Sequence, residues 1–180
     1  MNTPFEKMLS ERPWILADGA TGTNLFNMGL LSGDAPELWN EQHPERIREL
    51  YQMAVDAGSD LFLTNSFGGN ASRLKLHDQA YRAFHLSKIS AEIGRDVADK
   101  TERDIIVAGS VGPTGDIMQP LGTLSHSAAV EIFHEQAEGL KEGGADVLWL
   151  ETISAPEEYR AAAEAFARAR YFLSFMPEHV

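Results

Sequence analysis

Short apolar runs recur along the chain, and polar or glycine residues follow each of them. Four such runs, each four or five residues long, occupy positions 14–17, 60–64, 105–108 and 147–150. Nearly continuous apolar character over so few residues is typical of strands that are buried on both faces of a parallel sheet. The pattern therefore predicts four buried parallel strands, with a polar corner where each strand ends.

Between these runs, the apolar residues have helical spacing. Helices are predicted within positions 43–58, 71–97, 129–143 and 154–166. Pro44 suits the first turn of the first helix, and the segment from Ser154 to Glu157 fits a capping box at the start of the fourth. A chain that alternates strand and helix in this way is predicted to form a parallel α/β fold.

The number of strand–helix units leaves two architectures open. A complete eight-fold barrel takes about 250 residues and rarely fewer than about 200, whereas this chain has 180. A fifth apolar run, at 171–175, meets Pro177 almost at once. The pattern therefore fits either a small open sheet or the first half of a TIM (β/α)8 barrel.

Composition narrows the class of protein. The chain is 43% hydrophobic and 23% charged, which is typical of a globular domain. Its formal charge of −12, without a basic stripe, argues against nucleic acid or an anionic membrane as a partner. No apolar stretch approaches the roughly 20 residues of a membrane helix, and the start lacks a secretory pattern, so we expect a cytoplasmic protein. The chain has no cysteine, which excludes disulfides, a thiol nucleophile and a cysteine-ligated metal within these residues.

The first polar corner, from Asp18 to Thr23, contains two glycines. The catalytic and ligand-binding residues of parallel α/β folds lie at the carboxyl ends of the strands, where this corner is predicted to lie. Glycine lets backbone amides turn towards a ligand carboxylate or phosphate, and the alternative is a tight turn that itself requires glycine. The G-x-G-x-x-G and G-x-x-x-x-G-K-[ST] phosphate motifs are both absent.

The last polar corner begins with Glu151, directly after an apolar run. An unpaired charge at the mouth of a sheet is costly, so this carboxylate requires a cationic or hydrogen-bonding partner. That partner is either the ammonium group of a ligand or an arginine or loop amide of the protein.

The two middle corners carry weaker signals. Polar groups surround Phe67 in the corner at 64–70, and Asn70 there suits a helix N-cap. In the next corner, three glycines at three-residue spacing indicate a close-packed loop with a backbone requirement: Gly109, Gly112 and Gly115.

Histidine and tryptophan add little chemistry. His77 with His85, and His126 with His134, are eight residues apart and form no zinc-ligand motif, so surface or capping positions are predicted. Trp14 and Trp149 are predicted to be buried on strands. Trp39 is predicted to lie in a long loop that could cover a site.

Five motifs, taken in order, resemble the homocysteine S-methyltransferase family. This family includes betaine–homocysteine methyltransferase and the N-terminal domain of cobalamin-dependent methionine synthase. The motifs are LADGATGT at 16–23, WN and HP within 39–44, AGSD through TNSF at 57–67, GSVGP at 109–113 and LET at 150–152. The resemblance covers residues 12–167 and fades near Arg168.

The resemblance implies a fold and an activity. The family fold is a (β/α)8 barrel, so residues 1–180 are expected to form a single domain that corresponds to the N-terminal half of one. The family transfers a methyl group to the sulfur of homocysteine and produces methionine. The partners implied are homocysteine and a methyl donor that is either betaine-like or a methylcorrinoid.

The resemblance also implies site residues. Asp18 and the amides of Gly19 and Ala20 are expected to help hold the amino-acid end of homocysteine. Glu151 is expected to take the ammonium group of homocysteine, and Phe67 to lie beside the methyl donor. The next residue is Gly68 rather than the tyrosine of the animal betaine enzymes, so the resemblance does not extend to a choline-type aromatic cage.

One departure concerns the metal. The family activates the homocysteine thiol on zinc held by three cysteines from later strands of the barrel, and this chain has no cysteine. We therefore expect the chain to be inactive alone. One hypothesis is a truncated or frame-shifted end, for which the DNA beyond the codon of Val180 would encode cysteine-bearing strands; without such strands in any frame, the half barrel would be the whole product.

Two other interpretations stay open. A degenerate half-barrel module, without catalysis, would pair with a copy of itself or with a separately encoded second half, because an open sheet exposes hydrogen-bonding groups and apolar surface. An unrelated complete α/β enzyme ranks last, since the phosphate motifs are missing and no other chemistry is evident.

Overall fold

Three parallel strands form the centre of the protein, whose computed structural model describes residues 3–170. The strands are β1 (Leu61–Leu63), β2 (Ile106–Val111) and β3 (Val147–Leu150), and they lie side by side in chain order. Leu61 is opposite Ile106 in the register, and Ala108 is opposite Val147. Three of the four predicted strands are therefore confirmed. The fifth apolar run, at 171–175, lies outside the described residues.

Helices surround the sheet and connect its strands. They are α1 (Pro4–Glu11), α2 (Thr21–Asn27), α3 (Trp39–Gln42), α4 (Pro44–Asp56), α5 (Ala71–Leu74), α6 (Ala83–Asp99), α7 (His126–Glu142) and α8 (Pro156–Arg168), with short 3-10 turns at Pro36–Leu38, Lys75–His77 and Ala80–Arg82. The parallel α/β class predicted from the alternation is confirmed. No helix in residues 3–170 is long and apolar enough to cross a membrane.

The first predicted strand is reduced to a single bridge. Ala17 pairs in parallel with Leu61, and the carbonyl of Leu16 accepts a hydrogen bond of 2.7 Å from the amide of Asp60. The side of this segment away from β1 has no neighbour in the described sheet. Trp14 is therefore 67% exposed, and the prediction that it is buried is wrong. Trp149, on β3, is half-buried, with its ring edge-on to Phe5 at 6.2 Å.

Apolar side chains fill the space between the sheet and its helices. The stacked rings of Tyr51 and Phe62, 4.8 Å apart, join α4 to β1. Phe133 and Phe166, from α7 and α8, are fully buried in a second cluster that includes Leu148 of β3. Helices α6 and α7 approach each other closely at Gly139. A side chain at this position would come within 2.4 Å of the carbonyl oxygen of Phe84, so the close approach requires glycine.

Three local predictions about the helices are wrong. Helix α8 has Ala155 as its N-cap, without a side-chain hydrogen bond, so Ser154 lies one residue too early to form a capping box. The long helix predicted from Ala71 is interrupted, since Asp78 adopts a left-handed backbone conformation with φ of 58°. Trp39 lies in α3 and is buried, because it packs in the apolar cluster of α4 and α6 instead of covering a loop.

Candidate functional site

A cavity of about 480 Å³ lies at the carboxyl ends of the strands. This is within the range of small-molecule sites, and it is where parallel α/β folds carry their chemistry. Four of the five site residues expected from the sequence line this cavity: Gly19, Ala20, Phe67 and Glu151. The fold therefore brings together corners that are more than 130 positions apart in the chain.

The corner from Gly19 to Gly22 presents backbone to the cavity. Ala20 is the N-cap of α2 and supplies no side-chain cap. Within residues 3–170, the amides of Gly19 and Ala20 donate no hydrogen bond. Neither Gly19 nor Gly22 has a positive φ, and a side chain at either would meet no atom within 4 Å. The alternative of a tight turn that requires glycine is therefore not supported at these two positions. Instead, the missing side chains leave open space beside the backbone.

Asp18 lies behind this corner and not on the wall of the main cavity. One of its carboxylate oxygens, Oδ2, accepts a hydrogen bond of 3.0 Å from the amide of Leu63. Asp18 lines a smaller neighbouring cavity of about 210 Å³. Burial raises the pKa of Asp18 to about 6, and the negative charge of Glu151 adds to the increase.

Glu151 follows the end of β3 and is held by a hydroxyl group. Its Oε1 accepts a hydrogen bond of 2.6 Å from Oγ of Ser110. It forms no ion pair with a cation of residues 3–170. The alternative in which an arginine or a loop amide of the protein pairs with Glu151 is therefore not found in this part of the chain, and Glu151 lines the cavity.

Buried polar side chains fix Ser110 and the neighbouring loop. Oγ1 of Thr64 accepts a hydrogen bond of 3.0 Å from the amide of Ser110, and Oγ of Ser66 donates one of 2.7 Å to the carbonyl of Ser110. Nε2 of Gln136, on α7, donates a bond of 2.6 Å to the carbonyl of Ser66. These contacts join the ends of β1 and β2, so the partner of Glu151 is fixed in position.

Phe67 lies against a glycine of the next loop. Its carbonyl accepts a hydrogen bond of 2.9 Å from the amide of Gly112. A side chain at Gly112 would come within 2.6 Å of the ring, so only glycine allows this approach. A second glycine of that loop, Gly115, has φ of 79°, which supports the predicted backbone requirement there. Asn70 caps α5, as predicted, and also donates to the carbonyl of Pro113 at 3.2 Å.

The sequence pattern did not mark four titratable residues on the cavity wall as site residues: Asp34, Glu37, Arg73 and His77. Glu37 lies in a 3-10 turn before α3, far from any strand end, and no local pattern marks it. His77 is half-buried and lines the cavity, a place that its predicted assignment to the surface or to a cap did not specify. It reaches the wall because the 3-10 turn Lys75–His77 follows α5 directly.

The family's zinc site cannot be assembled from this chain. Its ligands are three cysteine thiolates, and none of the 180 residues is cysteine. Residues 3–170 also contain no group of three or more His, Asp or Glu side chains that could hold a metal ion. The donor set present therefore does not fit the zinc that the family uses.

Parallel strands in chain order, with polar corners converging on one cavity, define a parallel α/β protein. The chain belongs to the homocysteine S-methyltransferase family, whose profile matches residues 15–179. This match continues past residue 167, where the sequence resemblance was expected to end.

Named relatives support this assignment. Methionine synthase of Mycobacterium tuberculosis is 33% identical over 177 residues, which cover 93% of this chain and 15% of that protein. Homocysteine S-methyltransferase YbgG of Bacillus subtilis is 31% identical over 178 residues, which cover 88% of this chain and 56% of that protein. The chain therefore spans about half, or much less, of the length of these relatives.

A solved structure supports the same fold. The metallated form of the homocysteine methyltransferase MmuM from Escherichia coli aligns with a TM-score of 0.78 at 26% identity. The alignment covers 93% of this chain and 63% of MmuM. Similarity to MmuM thus extends across nearly all of this chain but only part of the larger protein.

The raised pKa of Asp18 predicts that the difference in stability between the wild type and Asp18→Asn depends on pH. The folded state holds the proton of the Asp18 carboxyl group more tightly than the unfolded chain, in which the pKa is near 3.8. Protonation of Asp18 therefore stabilises the folded state fully below pH 3.8. This stabilisation is lost as pH rises to about 6. We expect the free energy of unfolding of the wild type, minus that of Asp18→Asn, to fall across this window in urea denaturation. A difference that stays constant with pH would contradict the prediction.

Proposed function

We propose that residues 1–180 are a single domain that supplies the homocysteine-positioning half of a homocysteine S-methyltransferase barrel. One observation carries the proposal: the amides of Gly19 and Ala20, which donate no hydrogen bond within residues 3–170, line the same cavity as the carboxylate of Glu151, which has a hydroxyl partner but no cation in that part of the chain. An α-amino acid has a carboxylate and an ammonium group on one carbon. Amides suit the first group and a carboxylate suits the second.

Each residue has a separate task in this proposal. The amides of Gly19 and Ala20 donate hydrogen bonds to the homocysteine carboxylate. Glu151 accepts the ammonium group, while Ser110 fixes the orientation of its carboxylate. Asp18 adds negative charge behind the ammonium group and orients the corner through its bond to Leu63. Phe67 forms the wall beside the methyl donor.

The strand arrangement supports the half-barrel part of the proposal. The three strands and the segment at Ala17 are parallel neighbours in chain order, which is how a (β/α)8 barrel begins. The similarity to MmuM over 93% of this chain agrees with that placement. In such a barrel the cavity lies at the catalytic face, and the remaining strands supply the groups that this chain lacks.

Substituting Glu151 by glutamine tests the site. The change keeps the size of the side chain and an acceptor for Ser110, but it removes the charge that faces the ammonium group. We expect homocysteine to bind the purified wild-type chain and the Glu151→Gln variant to bind it about tenfold more weakly or worse, by isothermal titration calorimetry. Glu102→Gln, in an exposed turn before β2, is the control and should bind as the wild type does. Equal affinity of all three proteins would contradict the proposal.

The chain alone is expected to form no methionine. Without cysteine it cannot supply the thiolates that hold the family's zinc, so the homocysteine thiol is positioned but not activated. The measurement is methionine formation from homocysteine, with glycine betaine or a methylcorrinoid as donor. Turnover that is lost when zinc is chelated would overturn this part of the proposal.

The exposed sheet edge favours a second candidate function, assembly without catalysis. Trp14 and Leu16, 67% and 45% exposed, lie beside β1 where the described sheet has no further neighbour. An apolar surface beside unpaired backbone groups favours association with a second copy.

Light scattering tests this candidate. We expect the wild type to be dimeric and Trp14→Ala to shift it towards monomer. Tyr81→Ala, which removes an aromatic ring that is 79% exposed elsewhere, should leave the dimer unchanged. A monodisperse wild-type monomer would contradict assembly as the function.

A further inference from the structure

Two carboxylates lie at the carboxyl ends of the strands without a cation beside them. Asp18 follows the bridge at Ala17, and Glu151 follows β3. Neither forms an ion pair with a lysine, arginine or histidine of residues 3–170. Neighbouring like charges disfavour ionisation of both groups, so such a pair favours the retention of a proton. A proton and a cationic ligand therefore compete at this place.

Hydrogen bonds hold the two carboxylates in one layer of strand ends. Oδ2 of Asp18 accepts a bond of 3.0 Å from the amide of Leu63. The next residue, Thr64, accepts a bond of 3.0 Å from the amide of Ser110, and Oγ of Ser110 donates one of 2.6 Å to Glu151. Because each carboxylate is bonded to a neighbouring strand, neither can relieve the repulsion without breaking a hydrogen bond.

The corner that presents amides to the main cavity separates Asp18 from that cavity. Asp18 lines the smaller cavity of about 210 Å³, whereas Gly19 and Ala20 line both cavities. A cavity of this size has room for water. A proton on Asp18 can therefore pass to water on the far side of the corner while a ligand occupies the main cavity.

Glu151 is the charged group that acts on Asp18 within the described part of the chain. Helix α4 presents the hydroxyl of Tyr51, and burial raises the pKa of that hydroxyl, so it stays neutral in neutral solution. The other side chains around the smaller cavity that carry polar atoms are uncharged: Thr21, Asn24 and Ser59. Burial, with the charge of Glu151, raises the pKa of Asp18 to about 6. Asp18 therefore holds a proton in mildly acidic solution.

We propose that homocysteine binding expels a proton from Asp18, so that acid empties the site and neutral solution fills it. The inference rests on the proposed function and adds the regulation of that site by pH. The ammonium group of the ligand supplies the cation that the pair lacks, and a nearby opposite charge stabilises the ionised form of a carboxyl group. Asp18 becomes a carboxylate, its proton passes to water, and the ligand keeps its own charge. By linkage, protons weaken ligand binding to the same extent as the ligand weakens proton binding.

The affinity for homocysteine is expected to depend on pH in one direction. It is highest above pH 6, where Asp18 is already ionised. Below that value the ligand competes with a proton, and the affinity falls by up to about tenfold for each unit of pH. Asp18→Asn has no proton to release, so its affinity should change little between about pH 5 and 8. Isothermal titration calorimetry at several pH values measures both dissociation constants.

Calorimetry in pairs of buffers counts the protons. At one pH, buffers with different enthalpies of ionisation give different binding enthalpies when protons are released. We expect the wild type to release most of one proton per homocysteine at about pH 5.5, in acetate and MES, and close to none at about pH 8, in phosphate and Tris. Asp18→Asn should release none. Asp56→Asn, which removes an exposed carboxylate of α4 that is bonded to Gln52, is the matched control and should behave as the wild type does.

A ligand without the ammonium group tests the cause without a change in the protein. γ-Mercaptobutyrate is homocysteine that lacks the amino group. It should bind more weakly than homocysteine at about pH 8 and release no proton at about pH 5.5, because it brings no positive charge to Asp18 and Glu151. This comparison decides the question even if Asp18→Asn fails to fold.

Several outcomes would overturn the inference. They are an affinity of the wild type that does not fall in acid, no proton release by the wild type at about pH 5.5, and equal release with γ-mercaptobutyrate. Release that persists in Asp18→Asn would also overturn it, since the proton would then come from another group of the cavity such as His77.

Glu151→Gln at about pH 8, where Asp18 is ionised, separates this inference from the proposed function. If this variant binds homocysteine more weakly but the wild type releases no proton in acid, the positioning site stands and the proton linkage is wrong. If homocysteine binds the wild type at no pH, both are wrong.

Discussion

The hydrogen bonds that join the ends of β1 and β2 are the constraint on which the site depends. Thr64, Ser66 and Ser110 are buried polar residues that satisfy one another, and Gln136 of α7 reaches in to bond the carbonyl of Ser66. A buried polar group without a partner is costly, so such a network holds each member in one arrangement. Ser110 can then orient Glu151, and the loop after Ser66 can carry Phe67.

Missing side chains shape the cavity as much as those that are present. Glycine at 112 allows the ring of Phe67 to lie against the next loop, and glycine at 68 leaves Glu37 uncovered. At Gly19 and Gly22 the space beside the backbone is open. In each case the absence of one carbon atom determines whether backbone, ring or carboxylate can meet a ligand.

The charged residues around the cavity fall into two groups. Asp18 and Glu151 provide negative charge near the free amides of the first corner. Glu37 and Arg73 provide both signs near Phe67. In a chain with a formal charge of −12, an arginine without a partner in the described residues is the less expected feature.

The sequence by itself determined the parallel α/β class, three of the strands and the corners that carry Gly19, Phe67 and Glu151. Apolar periodicity is local, and parallel strands place their carboxyl ends on one edge, so these features follow from the order of residues.

Only the tertiary structure decided which side chains are covered and which are paired. Trp14 is exposed because its segment has one neighbour, and Trp39 is buried because α4 and α6 surround it. Glu37 and Arg73 share a wall because a 3-10 turn and a short helix from different parts of the chain both border the cavity. Burial and pairing depend on contacts between distant parts of the chain, and no local pattern contains that information.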